Sequence, residues 1–565
     1  MDYRVPLSYL AWEIGAIYIK TQHIISHTSC HITPFHFTQF HFTSHHFNRV
    51  LVLDQHEDVA GGGTHMFDLK GYPFDSGLHY TVPWSRPLLA LTTGKKTQEC
   101  TQFELMGEKD GTVDKIYLVN PDGTAADKKL HPFCMRHGET HWDQLLEIFP
   151  DEKECLKHFT ILSDRSMVFV KVYCLIRLFP KYLQEWIWYW FVPRSITDPV
   201  NITAKELLPT ITNNTLLKSL LSSMWIDTGA RPDRASFMMT ASVFRGISME
   251  GGCYPLGSSE AMGIELAEVI HRYKGKLLIR AAVKEVEIKN NRVTGVVMSD
   301  TEKTLIKAKK GVISSIGYVN TFSKLVDKEV CATNGVPRQI LCQSAGFVMC
   351  NIGISLSSEE IGATNTNTWH IPVNDQGDAF GPLNDYFENP LKTQDQLPAF
   401  ITFPSIKDQN FNKKFPNKVS CQMLLMAEYD WFDQFKDDTT MHRKEGYEEL
   451  KEEWKKRCLK IFLKYFPKAQ GHIEVCDIST PLSIEHYLGA HRGGAVGLDV
   501  IPERFISPQA RQNLDVVTNI KGLYLTGQDT GIIGVTLAQL SGVTTAFRLS
   551  GFLSSSWILF QSIFG

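Results

Sequence analysis

The stretch RVLVLDQHEDVAGGGTHMF, residues 49–67, decides the fold. Its first residues, rich in Val and Leu, predict a buried strand that ends at Asp54, and a cluster of glycines follows. Such a strand is typical of a dinucleotide-binding unit, in which the terminal carboxylate accepts hydrogen bonds from ribose hydroxyls. Gly61 and Gly62 would let the backbone approach a pyrophosphate, although a flexible loop explains the same glycines.

A second stretch, GLYLTGQDTG at residues 522–531, predicts a strand, a tight turn and a helix that opens at about Gly531. Gly527 permits the close approach of a ligand, and Asp529 is suited to hydrogen-bond a ribityl chain. The start of the helix offers free N–H groups and a positive dipole to a pyrophosphate. A plain strand–turn–helix is the alternative.

Between these stretches the sequence alternates helical and strand patterns. Residues 261–298 predict an amphipathic helix and then two strands joined at Asn290-Asn291. GVISSIG at 311–317 predicts a further strand, and the charged run at 443–460 predicts another helix. The mixture predicts an α/β protein without an internal repeat.

Composition narrows the class of protein. A chain of 565 residues is too long for one compact core, so we expect two interleaved domains. With 43% hydrophobic residues, 21% charged residues and a net charge of −3, nothing indicates a nucleic-acid partner. The 12 Cys form no CxxC pair and no cluster at zinc spacing, which argues against a disulfide framework and a metal site.

Residues 1–48 differ from the rest of the chain. They hold seven of the 20 His, interleaved with Thr, Ser and Phe; such tracts can bind metal, but we expect no metal site here. They also lack the apolar stretch and cleavage site of a signal peptide. We expect a His-rich segment foreign to the fold, such as one from an alternative or wrongly assigned first exon.

Two stretches could contact a membrane. Residues 168–193 combine a cluster of aromatic side chains with interspersed Lys and Arg, which suits the membrane–water interface. The C-terminal run at 550–565 is too short and too rich in Ser to cross ~30 Å of hydrocarbon. Peripheral attachment is therefore the expectation, with an ordinary buried helix as the alternative.

Three separated pieces together carry a family resemblance. The stretch at 50–80, the run from Gly251 to Gly317, and GLYLTGQDTG stand in the order and spacing of FAD-dependent enzymes of the phytoene desaturase and carotenoid isomerase group. Within that group the chain is most similar to the retinol saturases, through the wording LDQHEDxxGG…GYxFDxGxHY and LYLTGQD. The resemblance covers roughly residues 49–550.

The resemblance implies a role for individual residues. Asp54 would hold the adenosine ribose, Gly61 and Gly62 would line the pyrophosphate, and Asp529 with Gly527 would cap the ribityl–pyrophosphate region. In the strand after the amphipathic helix, Val283 would bind the adenine through its main chain.

Two further segments match the family. The loop with Gly251, Gly252, Tyr254, Pro255 and Gly257 would precede the second glycine-rich helix. Residues 480–497 would lie near the flavin and the substrate tunnel, where His491 and Arg492 are the nearest ionisable groups. Neither motif by itself assigns a catalytic residue, and a direct role for His491 or Arg492 is left open as an alternative.

The implied architecture is an α/β, two-domain FAD-binding (Rossmann-like) flavoprotein with an interleaved substrate domain. We expect an FAD domain from 49–100, 240–330 and 505–550, a substrate domain from 100–240 and 330–505, and an apolar tail at 551–565.

The implied activity is saturation of one C=C bond of all-trans-retinol by hydride transfer from reduced flavin, with NAD or NADP as candidate electron donor. The implied location is the endoplasmic reticulum membrane, where the protein would bind peripherally. A carotenoid desaturase or isomerase is one alternative. The other is an inactive pseudoenzyme that holds no FAD.

The pseudoenzyme alternative follows from a departure. In the family a strand and a GxGxxG loop stand about twenty residues before the position of Asp54, and residues 1–48 supply neither. We therefore expect the central sheet to lack its middle strand and the pyrophosphate to lose its main cradle. Gly63 is a second departure, since many relatives carry Arg there.

Overall fold

The computed structural model describes residues 23–26, 50–57, 61–138, 140–392, 396–439, 443 and 445–550. The predicted tail at 551–565 and most of the His-rich segment lie outside them. Within these residues the strands are β1 (His23–Ser26), β2 (Val50–Leu53), β3 (Met66–Leu69), β4 (Tyr72–Asp75), β5 (Phe103–Leu105), β6 (Thr112–Val119), β7 (Phe133–Arg136), β8 (Cys253–Pro255), β9 (Lys276–Leu278), β10 (Val283–Lys289), β11 (Arg292–Met298), β12 (Leu305–Lys307), β13 (Val312–Ser314), β14 (Gly346–Ile354), β15 (Asn367–Pro372), β16 (Ala399–Thr402), β17 (Val419–Ala427), β18 (Ile473–Ser479) and β19 (Leu523–Leu525).

The helices cover the sheets and join the two halves of the chain. The α-helices of the described part are α1 (Ser85–Thr93), α2 (Thr140–Ile148), α3 (Lys153–Ile176), α4 (Lys181–Phe191), α5 (Arg194–Thr197), α6 (Ala204–Ile211), α7 (Thr215–Leu221), α8 (Phe237–Glu250), α9 (Glu260–Arg272), α10 (Tyr318–Asn320), α11 (Lys328–Thr333), α12 (Ser358–Ile361), α13 (Phe380–Glu388), α14 (Pro404–Lys407), α15 (Gln409–Lys414), α16 (Tyr447–Tyr465), α17 (Pro481–Leu488), α18 (Pro502–Ile506), α19 (Pro508–Asn513) and α20 (Val535–Ser550). None of those described is both long and apolar enough to span a bilayer.

A five-stranded sheet in the order β19-β13-β1-β2-β9 forms the first layer. β13 runs parallel to β19 and β2 runs parallel to β9, while β1 is antiparallel to both β13 and β2. All strands of this sheet except β1 therefore point the same way. Their last residues, Leu53, Leu278, Ser314 and Leu525, lie in one row, which we call the carboxyl edge.

The middle of this sheet corrects one expectation. The sequence predicts that the central position is missing and that residues 1–48 lie outside the fold, but His23–Ser26 fills that position. The strand runs in the opposite sense to a βαβ unit, so its first residue, His23, lies at the carboxyl edge and Ser26 lies beside Val50 at the other. The strand thus ends at the edge opposite Asp54, whereas the first strand of a βαβ unit ends at the edge where its glycine loop and helix start bind the nucleotide.

A seven-stranded sheet in the order β18-β14-β17-β16-β15-β6-β7 forms the second layer. Its strands all come from the pieces assigned to the substrate domain, although the domain boundaries themselves stay a prediction. β14 and β17 are buried almost throughout and have the near-continuous apolar sequences of strands covered on both faces. The largest hydrophobic cluster packs around this sheet and includes Phe159, Trp369 and Trp454.

Several local predictions are confirmed and two need adjustment. β10 and β11 form the predicted hairpin, and Asn290 and Asn291 have the positive φ angles, 51° and 58°, of a type I′ turn. The amphipathic helix is α9. The charged helix is α16, which begins at Tyr447 rather than 443, and the helix after GLYLTGQDTG begins at Val535 rather than Gly531 because a glycine-rich loop intervenes.

Gly353 marks a close contact between the seven-stranded sheet and the β3–β4 hairpin. It lies in β14, and a Cβ at this position would stand 2.7 Å from Cγ of the buried Tyr72 on β4. Gly353→Ala is expected to lower the unfolding free energy by about 1–3 kcal/mol, because the Tyr72 ring must move. Gly246→Ala is the control, since a Cβ there meets nothing within 4 Å. Urea unfolding of both variants checks this, and equal effects would contradict it.

Candidate functional site

Asp54 lies where the sequence places it, immediately beyond β2 at the carboxyl edge. Its side chain is buried and its Oδ1 accepts a hydrogen bond of 2.9 Å from the His56 amide. Burial raises the pKa of this carboxyl, partly offset by that bond. The Asp54 amide donates to the Leu278 carbonyl, and the Ala281 amide donates to the Asp54 carbonyl. The strand end is thereby joined to the segment that leads into β10 and Val283.

Asp529 lies at the same edge and connects three segments. Its Oδ2 accepts a 2.7 Å hydrogen bond from the Tyr318 amide, and its Oδ1 accepts one of 2.9 Å from the Leu498 amide. Glycine is required beside it, because a Cβ at Gly497 would stand 2.4 Å from Oδ1. The carboxylate, only 3% exposed, therefore has a structural role in this chain in addition to the predicted one. Its contact with a ribityl chain stays a prediction.

The space around Gly527 is open. Gly527 has a φ of 95°, and the nearest atom to a Cβ there would be the Ser315 carbonyl oxygen at 3.7 Å. A Cβ at Gly534, just before α20, would meet nothing within 4 Å. The Ser315 hydroxyl, which follows β13 at this edge, is buried without a hydrogen-bond partner among the described residues. A buried hydroxyl without a partner, in the residue that approaches Gly527, is a group that a polar ligand would complete.

The loop with Gly61 and Gly62 is anchored from the other side. Gly62–Thr64 forms one 3-10 turn, closed by the Thr64 hydroxyl donating to the Gly61 carbonyl at 2.9 Å. Glu260, the first residue of α9, accepts from the Met66 amide at 2.9 Å and pairs with His65 Nδ1 at 3.2 Å. The loop is therefore held against a helix start, without the Arg that many relatives carry at Gly63.

The structure does not bring Arg492 to this edge. The Arg492 guanidinium pairs with Asp430 and lies 4.6 Å from the centre of the Tyr429 ring, with 43% of its side chain exposed. Burial lowers the pKa of the neighbouring His491. A catalytic role for either residue stays a prediction.

The loop at 251–257 precedes α9 and packs against the motif at 71–80. Its residues Cys253–Pro255 pair with β5, and a Cβ at Gly252 would stand 3.2 Å from Cδ2 of Tyr80. The Tyr254 hydroxyl donates to both oxygens of Asp75 at 2.9 and 2.8 Å, and the Ser259 hydroxyl donates to Oδ1 at 2.5 Å. Burial raises the pKa of Asp75 to about 7.

Sequence reasoning missed a buried lysine beside this loop. The Lys407 ammonium, 1% exposed, donates to the His79 carbonyl at 2.9 Å, to Asn367 Oδ1 at 2.7 Å and to Thr402 Oγ1 at 2.6 Å. These three neutral acceptors use all three of its protons. Burial lowers the pKa of Lys407 to about 7, against the opposing effect of nearby carboxylates.

Three carboxyl groups surround this lysine. Asp75 lies on β4, Asp114 lies on β6, and Asp227 follows α7. The Tyr80 hydroxyl donates to Asp227 Oδ2, and burial raises the pKa of Asp227 to about 7. Asp114 Oδ1 accepts from Asn367 and from the Trp369 indole, both at 2.9 Å, and burial raises its pKa as well. These side chains form a buried ionisable cluster, which joins β4, β6, α14 and the segments before α1 and after α7. Its members are Asp75, Tyr80, Asp114, Asp227 and Lys407.

The sequence held weak signals for this cluster. Asp75 and Tyr80 belong to the motif GYPFDSGLHY, in which Gly71, Asp75 and Gly77 are typical of turns. Asp227 ends the mostly apolar run SMWID, and Lys407 ends FPSIK directly before Asp408. A charge next to an apolar run is a candidate for perturbation by burial. Nothing in the sequence indicates that they meet. Among the described residues, no group of His, Cys, Asp and Glu is arranged to hold a metal ion.

Comparison with known proteins gives a consistent picture. The chain is 28% identical to all-trans-retinol 13,14-reductase of Danio rerio over 88% of its length and 81% of that protein. It is 24% identical, over 88% of its length and 81% of the relative, to a Danio rerio protein named inactive all-trans-retinol 13,14-reductase. It is 23% identical to prolycopene isomerase 1 of an Oncidium hybrid, over 89% of the chain and 80% of the relative. No family model matches.

Solved structures share the fold. An oxidoreductase from Methanosarcina mazei aligns with a TM-score of 0.53 and 12% identity, over 87% of this chain and 92% of that one. Putrescine oxidase aligns with a TM-score of 0.52 and 13% identity, over 90% and 93% of the two chains.

The chain therefore shares the α/β fold of solved oxidoreductases, as the sequence predicts. Within that class the predicted resemblance to the retinol 13,14-reductases and, more distantly, to the carotenoid isomerases is confirmed. The comparisons support the general expectation of an oxidoreductase.

Proposed function

We propose that the chain is an FAD-dependent oxidoreductase that saturates one C=C bond of all-trans-retinol or a closely related polyene. The observation that carries this proposal is the carboxyl edge, where Asp54, Ser315 and Gly527 follow three strands that point the same way. Ligands of open α/β sheets bind outside the carboxyl ends of the strands. The similarity to proteins named retinol reductases supports the choice of substrate class.

The residues present fit much of the cofactor. Asp54 would hold the adenosine ribose, Val283 the adenine, Gly61 and Gly62 the pyrophosphate, and Gly527 with Asp529 the ribityl end. When bound, the flavin would supply the two-electron chemistry of the reduction. The chain itself orients the polyene, excludes water and supplies a proton. NAD or NADP is the proposed source of electrons.

Product analysis tests this function. The purified chain is mixed anaerobically with all-trans-retinol or with prolycopene, and with NADH, NADPH or dithionite as reductant. We expect a dihydroretinol product from the first substrate and no isomerised carotene from the second. Isomerised carotene without saturation would favour the carotenoid alternative, and no product with any reductant would contradict the proposal.

One observation favours a second candidate, an inactive chain that holds no FAD. The strand in the middle of the sheet is reversed, so the position from which a glycine loop would cradle the pyrophosphate is built differently. A relative at 24% identity also bears the name of an inactive reductase. A folded chain that takes up no FAD would support this candidate.

We also propose that α4 attaches the chain to the surface of a membrane, with the endoplasmic reticulum as its location. Tyr182, Trp186, Tyr189 and Trp190 follow the i, i+4, i+7, i+8 spacing of one helix face and are each 53–77% exposed. The other face is tied to the protein, because Gln184 donates to Asp515 at 2.5 Å. Exposed aromatic residues on one face suit a helix that lies in the membrane interface.

Vesicle binding checks the role of α4. The double variant Trp186→Ser/Trp190→Ser is expected to bind phosphatidylcholine–phosphatidylserine vesicles roughly tenfold or more weakly, because two aromatic side chains no longer enter the interface. Tyr273→Ser/Tyr487→Ser is the control, since these aromatics are 49% and 55% exposed elsewhere. Equal sedimentation of both double variants with vesicles would count against the proposal.

A further inference from the structure

The reduction of a C=C bond needs a proton as well as a hydride, and none of the residues assigned above supplies it. Asp54 and Asp529 lie at the carboxyl edge, where we propose that the nucleotide binds. The Arg492 side chain pairs with Asp430 at the surface. The buried ionisable cluster concentrates exchangeable protons where the segments of Tyr80 and Asp227 meet the seven-stranded sheet. A proton donor for the reduction must carry a proton and must be accessible to the substrate.

The members of the cluster differ in accessibility. Asp75, Asp114 and Lys407 are at most 1% exposed, and their polar atoms are largely occupied by Tyr254, Ser259, Asn367, Trp369 and Thr402. Tyr80 and Asp227, in contrast, are only partly buried, although protein atoms surround both side chains. These two side chains therefore border an accessible space.

Several groups surround the Tyr80 ring and bound this space. The ring packs between Gly252, where a Cβ would stand 3.2 Å from it, and the Lys407 ammonium, 5.4 Å from its centre. His79, 8% exposed, has an Nδ1 atom without a hydrogen-bond partner among the described residues. An unfilled buried donor or acceptor beside an accessible phenol is what a bound molecule would complete.

We propose that Tyr80 is the catalytic proton donor of the reduction, that Asp227 reloads it, and that Lys407 is a positioning residue for the pair. This inference rests on the proposed function. A bound, reduced flavin would supply the hydride to one carbon of the double bond. At the adjacent carbon a C–H bond forms while the O–H bond of Tyr80 breaks. The phenolate then takes the proton of the Asp227 carboxyl, which regains one from solvent, so that one hydride and one proton are consumed per bond saturated.

The charges around Asp227 support its role as a proton store. Asp75 and Asp114 face the same lysine, so the interior holds three carboxyl groups for one ammonium, and His79 is kept neutral because burial lowers its pKa to about 3. Burial and the charge of Asp114 both raise the pKa of Asp227, while Tyr80 and Lys407 lower it. The result, about 7, leaves a carboxyl that carries a proton in part of the molecules at neutral pH.

Lys407 holds the donor pair in place. Its bond to the His79 carbonyl fixes the backbone just before Tyr80, and its other two bonds tie that segment to β15 and β16 through Asn367 and Thr402. A neutral side chain of similar length would keep the packing but lose the bonds. We expect Lys407→Met to change the pH profile rather than abolish turnover.

Single-turnover kinetics with the flavin-loaded full chain, dithionite and all-trans-retinol test the assignment. Tyr80→Phe is expected to slow saturation about 10²–10⁴-fold with flavin content unchanged. Tyr465→Phe is the control, since it removes a buried hydroxyl bonded to His370 at 2.6 Å, away from the cluster. Asp227→Asn is expected to remove the pH limb near 7 from the rate profile. Saturation by Tyr80→Phe at the wild-type rate would overturn the inference and leave the proposed function intact.

A measurement on the resting protein separates this role from a structural one. Infrared spectra of the wild type should show a protonated-carboxyl band that titrates near pH 7, and Asp227→Asn should reduce it while the exposed control Asp477→Asn should not. An unchanged band in Asp227→Asn would overturn the role of Asp227. A folded wild type that holds no flavin would overturn the proposed function and, with it, the donor assignment.

Discussion

Asp529→Ala is expected to lower the unfolding free energy by about 2–6 kcal/mol, because the buried amides of Tyr318 and Leu498 lose their acceptor and each unsatisfied donor costs about 1–3 kcal/mol. The same change should release the flavin. These amides belong to the segments after β13 and before α18, which close around the turn at Gly527. Urea unfolding and the ratio of flavin absorbance to protein absorbance measure the two effects.

Two variants make the Asp529 result specific. Asp477→Ala removes a carboxylate that is 44% exposed and pairs with Lys451 at 3.3 Å, and it should cost at most about 1 kcal/mol. Asp529→Asn keeps one acceptor oxygen and should fall between the wild type and Asp529→Ala. If Asp529→Ala were as stable as Asp477→Ala, the account of how this edge is held together would be wrong.

Asp227→Asn is expected to change how stability depends on pH. Burial raises the pKa of Asp227 from 3.8 to about 7, so between these values the folded chain binds more protons than the unfolded chain. Stability is therefore highest at the acidic end of this window and falls as pH rises towards 7, by about 4 kcal/mol for one such group. Asp75 acts in the same direction, since burial raises its pKa to about 7 as well.

Lys407 has the opposite effect above pH 7. Because its pKa is lowered from 10.5 to about 7, the unfolded chain binds more protons between these values, and stability rises with pH. The wild type should therefore be least stable near pH 7. Urea unfolding from pH 4.5 to 9 should show this minimum, with a decline on the acidic side about half as steep in Asp227→Asn. Parallel profiles for the wild type and this variant would contradict the burial of an ionisable Asp227.

The strands that form the carboxyl edge were predictable because their sequence signals are local. A strand that ends in Asp54 and a strand followed by Gly527 and Asp529 each show in a few consecutive residues. The reversed β1 was not predictable, since a short strand such as His23–Ser26 gains its place only by pairing with Val50–Leu53 and Val312–Ser314.

The buried ionisable cluster was beyond reach of the sequence for a different reason. Tyr80, Asp227 and Lys407 are separated by more than a hundred residues from one another, and no local pattern connects them. The pKa values of Asp227 and Lys407 change only because folding buries these side chains. Long-range contacts of this kind leave no periodic signal along a chain.

The flavin content of the folded wild-type chain tests the central claim most directly. The protein is expressed in full, shown to unfold cooperatively, and then denatured so that any released flavin can be separated and counted. We predict close to one FAD per chain, with FAD rather than FMN released, because Asp54 and Val283 are placed to hold the adenosine half. A cooperatively folded, colourless chain that gains no flavin absorbance when FAD is added would contradict the account.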